Sequence, residues 1–325
     1  MLDVIGFGAI NLDLIYQIDS LSDLSGQGIE LQPGRELWAP PEIFSRVLER
    51  VKQRGVMKTA SGGGSAANTI VALARMGFKT GFIGKVGEDR EGRRLRDEME
   101  GVDLRGILVG GASGKCLSIL DGNRDRAILL KTGANDTLSA DEIDFGYARD
   151  ARYIHLTSFL AEEPFLAQRA LAEQIQPPAR ISLDPGEVYA RRGLTDLLPL
   201  LERTFVLFVT EREIHVLTGL DRFQGSRRLL EVGPSMVVCK RGEKGVYFLS
   251  RDEEFELPAQ SVDVRDNTGA GDVFDAGFLA GLLMGRPLRE SASFATRIAA
   301  KSLTGYGRTR YPGREDPGFF EGPDS

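Results

Sequence analysis

Residues 266 to 272, Asp266-Asn267-Thr268-Gly269-Ala270-Gly271-Asp272, stand directly before an apolar run rich in small residues, VFDAGFLAGLLMG. Glycines placed just ahead of a helix leave a run of backbone N–H groups that converge on one point, an anion site. Asp272, at the start of that helix, would be wasted as a phosphate ligand because like charges repel. As a base that takes a proton from an incoming hydroxyl it makes chemical sense. Donors for the charge on a transferred group, beside a carboxylate that orients the nucleophile, are the pair that phosphoryl transfer needs. The other reading of Asp272 is a helix cap.

Two further glycine clusters invite the same question. Gly62-Gly63-Gly64-Ser65-Ala66-Ala67-Asn68 leads into a helix and is either a ligand loop, where backbone amides come close to oxygen-rich groups, or a flexible linker. Gly6-Phe7-Gly8-Ala9-Ile10-Asn11 imitates a dinucleotide fingerprint but has Asn at the third glycine position, with no helix opening there. The first strand is expected to deliver Asn11 and Asp13 at its carboxyl end, where ligands bind in open parallel sheets. Asp13 is then either a ligand for two adjacent hydroxyls or a turn residue. No Walker-type loop exists, the nearest imitation being Gly110 to Cys116.

The elements that must position these residues alternate in period. Apolar runs at Asp3 to Ala9, Thr80 to Val86, Arg152 to Leu156, Ile181 to Asp184 and Phe205 to Val209 read as strands. Ala66 to Met76, Pro164 to Gln174, Glu211 to Leu217 and Phe223 to Glu231 read as helices, the first stopping at Gly77. Such alternation argues for a mainly parallel sheet covered on both faces. Two regions break the rhythm. Gln17 to Ala60 holds a Pro/Gly-rich stretch and an amphipathic helix with Ile43, Phe44, Val47, Leu48 and Val51 on one face; Lys115 to Lys131 reads as a hairpin turning near Asp121-Gly122.

The 41 Lys+Arg against 47 Asp+Glu, scattered along the chain, speak against a broad basic surface for nucleic acid or anionic lipid. Two cysteines, Cys116 and Cys239, cannot make a disulfide framework or a zinc site, and MLDVIGFGAI lacks signal-peptide features; the cytoplasm is expected. No apolar stretch reaches the ~18 residues of a membrane span. Glycine is the unusual number, 39 of 325 residues.

SGGGSAANTIVALARMGFKTGFIGKVGEDREG (61–92) and DNTGAGDVFDAGFLAGLL (266–283) closely resemble the two signatures of the PfkB carbohydrate-kinase family, the ribokinase-like kinases of sugars and nucleosides. Weaker similarity runs from about residue 2 to about residue 310. The resemblance implies a three-layer α/β/α domain over 1–312 with a mainly parallel central sheet. It also implies a small β lid drawn from about 14–40 and 107–131, and a loosely held tail at 313–325. It implies an ATP-dependent phosphotransferase with an alcohol group as acceptor (EC 2.7.1.-), Asp272 as base and the amides of Gly269, Ala270 and Gly271 as anion hole. Asn11, Asp13, Gly63, Gly64 and Asn68 would hold the sugar hydroxyls, and Lys240, Gly242 and Gly245 would border ATP. The family's N-x-x-E element appears as Thr210-Glu211-Arg212-Glu213. Glu213 would reach Mg²⁺ through water, with Thr210 standing where the family has Asn. Asp266 and Thr268 match positions that in some relatives build a monovalent-cation site, for example for K⁺. Many relatives dimerise by clasping two lids, so a homodimer is implied.

The substrate stays open. Asp184-Pro185-Gly186-Glu187-Val188 lacks the Asn and Arg of the D-x-N-x-R element carried by many hexose and ketodeoxygluconate kinases of the family. The long 17–60 insertion resembles the adenosine-kinase-like branch, and Phe7, Trp38 and Phe159 are candidates to stack on a base. The alternatives are a nucleoside kinase of the same fold, a catalytically weak sugar- or nucleotide-binding regulator, and a dinucleotide-dependent oxidoreductase.

Overall fold

The computed structural model describes all residues except 25, 27, 33–35, 123–125 and 317–325. The chain opens with β1 (Leu2–Phe7), which runs after three residues into β2 (Asn11–Gln17). β3 (Glu36–Trp38), α1 (Pro41–Arg54) and β4 (Val56–Gly63) follow. An alternating stretch comes next: α2 (Ser65–Arg75), β5 (Thr80–Val86), α3 (Arg90–Asp97) and β6 (Val102–Val109). The pair β7 (Gly114–Leu120) and β8 (Arg126–Lys131) interrupts it. Alternation resumes with α4 (Phe145–Arg149), β9 (Ala151–Thr157), α5 (Glu162–Gln174), β10 (Arg180–Asp184), α6 (Gly186–Ala190) and α7 (Leu194–Leu201). It continues through β11 (Thr204–Thr210), α8 (Glu211–Thr218), α9 (Arg222–Glu231) and β12 (Met236–Lys240). β13 (Val246–Ser250), β14 (Glu254–Leu257), α10 (Ala270–Leu283) and α11 (Leu288–Ser302) complete the order.

The larger sheet runs β14-β13-β12-β11-β10-β9-β1-β5-β6, parallel from β6 to β12 and antiparallel at β13 and β14. Its inner strands are buried on both faces, which is why they read as continuous apolar runs, while the edge strands β6 and β14 are partly exposed. The alternation of side chains splits them between two cores: Val4, Val206 and Phe208 pack with α2, α10 and α11, while Ile5, Phe7, Leu207 and Val209 pack with α5, α7 and α8. This is the ribokinase-like α/β/α architecture.

A second sheet, β3-β8-β7-β2-β4, forms the lid. One face packs Leu117, Ile119 and Leu129 on Phe44, Val47 and Val51 of α1, as the amphipathic pattern predicts. Cys116, Ile128 and Leu130, one residue out of phase, face a cleft against the main sheet.

The structure corrects the expected boundaries. Asn11 and Asp13 do not end the first strand of the main sheet; they lie on β2 of the lid. Gly62 and Gly63 form no loop but close β4, and β4 itself belongs to the lid. β6, placed partly in the lid by the 107–131 boundary, is the edge strand of the main sheet. Part of the 313–325 tail is anchored, since Lys301 pairs with Asp316 at 2.5 Å; 317–325 lie outside the described residues. The lid hairpin is as expected in its strands, with most of its turn, 123–125, outside the described residues.

Candidate active site

Three consecutive strands of the main sheet end side by side in Asp184 (β10), Thr210 (β11) and Lys240 (β12), at the carboxyl edge where open α/β sheets bind ligands. The N-terminus of α10 points at the same edge. Gly269, left-handed at φ 76°, caps it, and Ala270, Gly271 and Asp272 form its first turn, whose N–H groups have no intrahelical partners. Lys240 closes on this turn: a Cβ at Gly271 would stand 3.3 Å from its Nζ. A cation, a helix N-terminus and a glycine that lets them approach make a site for a multiply charged anion.

The Lys240 side chain, only 13% exposed, bonds Asp184 at 2.7 Å and Asp275 at 3.1 Å. Burial disfavours its charge, but the two carboxylates overcome that and hold the ammonium well above its ordinary range. Asp275 is pushed well up, first by burial and then by Asp184. Asp184 stays below its usual value because Lys240 outweighs burial and Asp275 bonds it. The two carboxylates thus hold the Lys240 ammonium between them.

Asp272 accepts a hydrogen bond from Asn68 Nδ2 at 2.8 Å, and its backbone carbonyl accepts from Thr69 Oγ1 at 3.1 Å, so the N-termini of α2 and α10 are locked together. Burial raises its carboxyl to about 6; Asp184 adds to the rise, while the Asn68 bond, Lys240 and Arg308 oppose it. A carboxyl poised there is ionised at neutral pH and basic enough to accept a proton.

Across the cleft, β2 presents Asn11 and Asp13 on one face, two residues apart. Gly63 opposite Asn11 has a specific job: a Cβ there would lie 2.0 Å from Asp13 Oδ2. Gly64, at φ 99°, turns the chain from β4 into α2 with no space for a side chain, because Ala9 O occupies the Cβ position. Asn11, Asp13, Gly64, Asn68, Gly269, Gly271 and Asp272 all line one cleft of about 270 Å³. The N-terminus of α10 and the polar side chains of β2 thus meet in a space suited to a small polar molecule.

Residues 36–312 match the pfkB family carbohydrate kinase model. This chain belongs to the pfkB family of carbohydrate kinases. It is 37% identical over 243 residues to an "uncharacterized sugar kinase" of Archaeoglobus fulgidus, covering 73% of this chain and 96% of the relative. It is 28% identical to the ATP-dependent ribose-1-phosphate kinase of Halopiger xanaduensis, over 92% of this chain and 91% of that one. The crystal structure of ribokinase from Thermotoga maritima superposes with TM-score 0.77 at 24% identity, covering 97% of each chain. As a pfkB-family member the protein is an ATP-dependent sugar or nucleoside kinase, a phosphotransferase with an alcohol group as acceptor.

Several residues of this pfkB-family kinase stand differently from expectation. Thr210 and Glu213 form a capping box on α8: Glu213 Oε2 accepts from Thr210 N at 2.8 Å and Thr210 Oγ1 accepts from Glu213 N at 3.2 Å. That engages Thr210 in the helix start rather than toward a metal. Glu213 keeps its second oxygen, its carboxyl raised by burial and by Asp184. Among the described residues no group of three His, Cys, Asp or Glu could hold a metal. A hard divalent ion such as Mg²⁺ needs only one or two protein carboxylates beside phosphate oxygens and water, and Glu213 is the carboxylate here that would serve it. Gly245 is glycine because a Cβ would strike Leu257 O at 2.0 Å, and Gly242 sits left-handed in the preceding turn. Asp266 accepts from Thr268 N at 2.9 Å and Thr268 Oγ1 at 2.6 Å and, through its other oxygen, from Gly307 N at 3.0 Å, ties that occupy it without a cation. Phe7 and Phe159 are fully buried edge-to-face at 5.8 Å, so neither ring is free to stack on a base; Trp38 is exposed on β3. No helix follows Gly8, where a Cβ would meet Thr157 Oγ1 at 2.3 Å, and the dinucleotide reading fails for want of a helix N-terminus.

Sequence reasoning missed Asn135, Asp136 and Arg308. Buried Asn135 accepts from Ile10 N and donates to Asn11 Oδ1, each at 2.9 Å, and so orients Asn11. Asp136 accepts from Thr132 through Oδ2, while Oδ1 has no protein partner and Asp136 lines the cleft. Asn135 and Asp136 share the short turn Gly133–Thr137, and Arg308 stands apart from them in Gly307–Arg310.

Proposed function

We propose that this kinase transfers the γ-phosphate of ATP to a hydroxyl of a neutral sugar or sugar-like acceptor, with Asp272 as general base. The observation that carries the reading is the juxtaposition of Asp272 with the Gly269-Ala270-Gly271 turn and Lys240 on one side and Asn11 and Asp13 on the other. The acceptor lies between lid and core, held through its other hydroxyls by Asn11, Asp13 and Asp136. As its oxygen bonds to the γ-phosphorus, the proton passes to Asp272 and the bond from that phosphorus to the bridging oxygen breaks, releasing ADP. The amides and Lys240 bear the charge on the transferred group. Glu213 would hold a Mg²⁺ through water, and that ion would supply screening of the phosphate charge. Gly242 and Gly245 shape the turn along which ATP lies.

The walls of the cleft support a neutral acceptor. Among the described residues, Asp13, Glu36, Asp136 and Asp272 line it together with one cation, Lys131. A phosphorylated or acidic acceptor would meet like charge. The apolar side formed by Ile128, Leu130, Leu160 and Val188 favours a nucleoside as the second reading. Acceptor-dependent ADP release across sugars, nucleosides and sugar phosphates separates the cases. Asp272→Asn should lower kcat by roughly 10²–10⁴-fold with acceptor binding kept; wild-type turnover in that variant would end the mechanism.

The kinase domain spans 1–312 as one unit with its lid. Exposed Trp38, Val56 and Met57 lie on the lid's two edge strands, which supports a homodimer joined lid to lid; light scattering tests it. Among the described residues no helix is long and apolar enough to cross a membrane, in keeping with a cytoplasmic place of action.

A further inference from the structure

We propose that Arg308 is a positioning residue for the transfer: acting through Asn68, it fixes which oxygen of Asp272 stays free to receive the proton. The inference rests on the reading of Asp272 as base. Arg308 lies in the short turn Gly307–Arg310 after α11, outside both glycine-rich motifs. Its Nε donates to Asn68 Oδ1 at 3.0 Å, and Asn68 Nδ2 donates to Asp272 Oδ2 at 2.8 Å.

A side-chain amide has one accepting oxygen and one donating nitrogen, so a donor on its oxygen settles its orientation. With Arg308 present, a flipped Asn68 would set its NH₂ against the guanidinium and its oxygen against the Asp272 carboxylate. Both contacts are repulsive. Asp272 Oδ2 is thereby kept occupied and Oδ1 is left for the acceptor hydroxyl. Without Arg308 the amide loses the partner that selects this arrangement.

The position of Arg308 is itself fixed from several sides. Its carbonyl accepts from Arg75 Nη1 at 2.6 Å. Asp266 binds Gly307 N through one oxygen and Thr268 through the other, so a single carboxylate joins the turn holding Arg308 to the loop holding Gly269. Gly62, the first glycine of the 62–64 run, makes room for the guanidinium: a Cβ there would lie 2.9 Å from Arg308 Nη1. The guanidinium is buried, and no protein group accepts from Nη1 or Nη2. A cation buried with so few partners gains little stability for the fold. What the arrangement gains is orientation.

The test is a double-variant cycle on kcat and on KM for acceptor and ATP, using Arg308→Met, Asn68→Ala and the two combined. Arg308→Met is expected to lower kcat about tenfold or more, to leave KM for ATP unchanged and to leave the melting temperature unchanged or raised, with Arg308→Lys recovering part of kcat. In the Asn68→Ala background Arg308→Met should cost nothing further. Equal losses with and without Asn68, or wild-type kcat in Arg308→Met, overturn the inference. Should Arg308→Met fail to fold, Arg308→Lys is carried through the same cycle and judged by the same criterion. Absence of any acceptor-dependent turnover in the wild-type protein overturns the kinase mechanism and this inference with it, whereas turnover with independent losses overturns only the role of Arg308.

Discussion

Asp272, with its carboxyl raised to about 6, must be ionised to take a proton. As pH falls through that value the carboxyl fills and kcat should fall with it, while above it kcat should level off. Asn68→Ala removes a bond that favours the ionised form, so the acid limb should move to higher pH; a kcat–pH series on both proteins checks the sign. Gly63→Ala would press a methyl against Asp13, where a Cβ would stand 2.0 Å from Oδ2. Acceptor KM should rise about tenfold or more, with ATP KM unchanged, because a polar ligand is displaced on the lid side alone. Asp272 and its glycines were legible in the sequence because helix-start amides require glycine at fixed local spacing. Asn135 and Arg308 were not, because each reaches its partner across more than a hundred residues and leaves no local pattern.

Helix α10 reaches the site only because α11 packs closely against it. A Cβ at Gly277 would lie 2.7 Å from Ala295 Cα, and one at Gly281 2.8 Å from Ser291 Cα. Gly277→Ala should therefore destabilise by about 1–3 kcal/mol through overpacking, seen as a lower denaturant midpoint at unchanged slope. Five strands of the parallel core, β1, β5, β9, β10 and β11, were readable as apolar runs because both their faces are covered. β4 escaped notice because its residues VMKTASGG are mostly exposed or half-exposed at the lid's edge. β2 escaped because only three residues part it from β1, so that strands of two different sheets read as the approach to one site. The Thr210–Glu213 spacing, which the resemblance ties to a magnesium site, also satisfies a helix start as a capping box.

The acceptor cleft draws Asp13 from the lid and Asp272 from the core. A bound acceptor therefore bridges two separately packed hydrophobic clusters, and it should stabilise the whole chain by about 2.7 kcal/mol at a hundredfold excess over Kd. Asp13→Asn should shrink that gain in a thermal-shift titration, and Asp272→Asn should leave most of it. The connections between the two bodies are short. β4 passes into α2 through Gly64 alone, and α2 carries Asn68 one turn later. This joint has no slack, so the lid works on Asn68 as a lever works on its load. Reshaping the acceptor site through β4 would tilt the amide that steadies the base and change turnover along with affinity. Strand β8 is separated from β4 in the lid sheet by β7 and β2. Changes at Ile128 and Leu130 offer a route to new acceptors that leaves the chemical step alone.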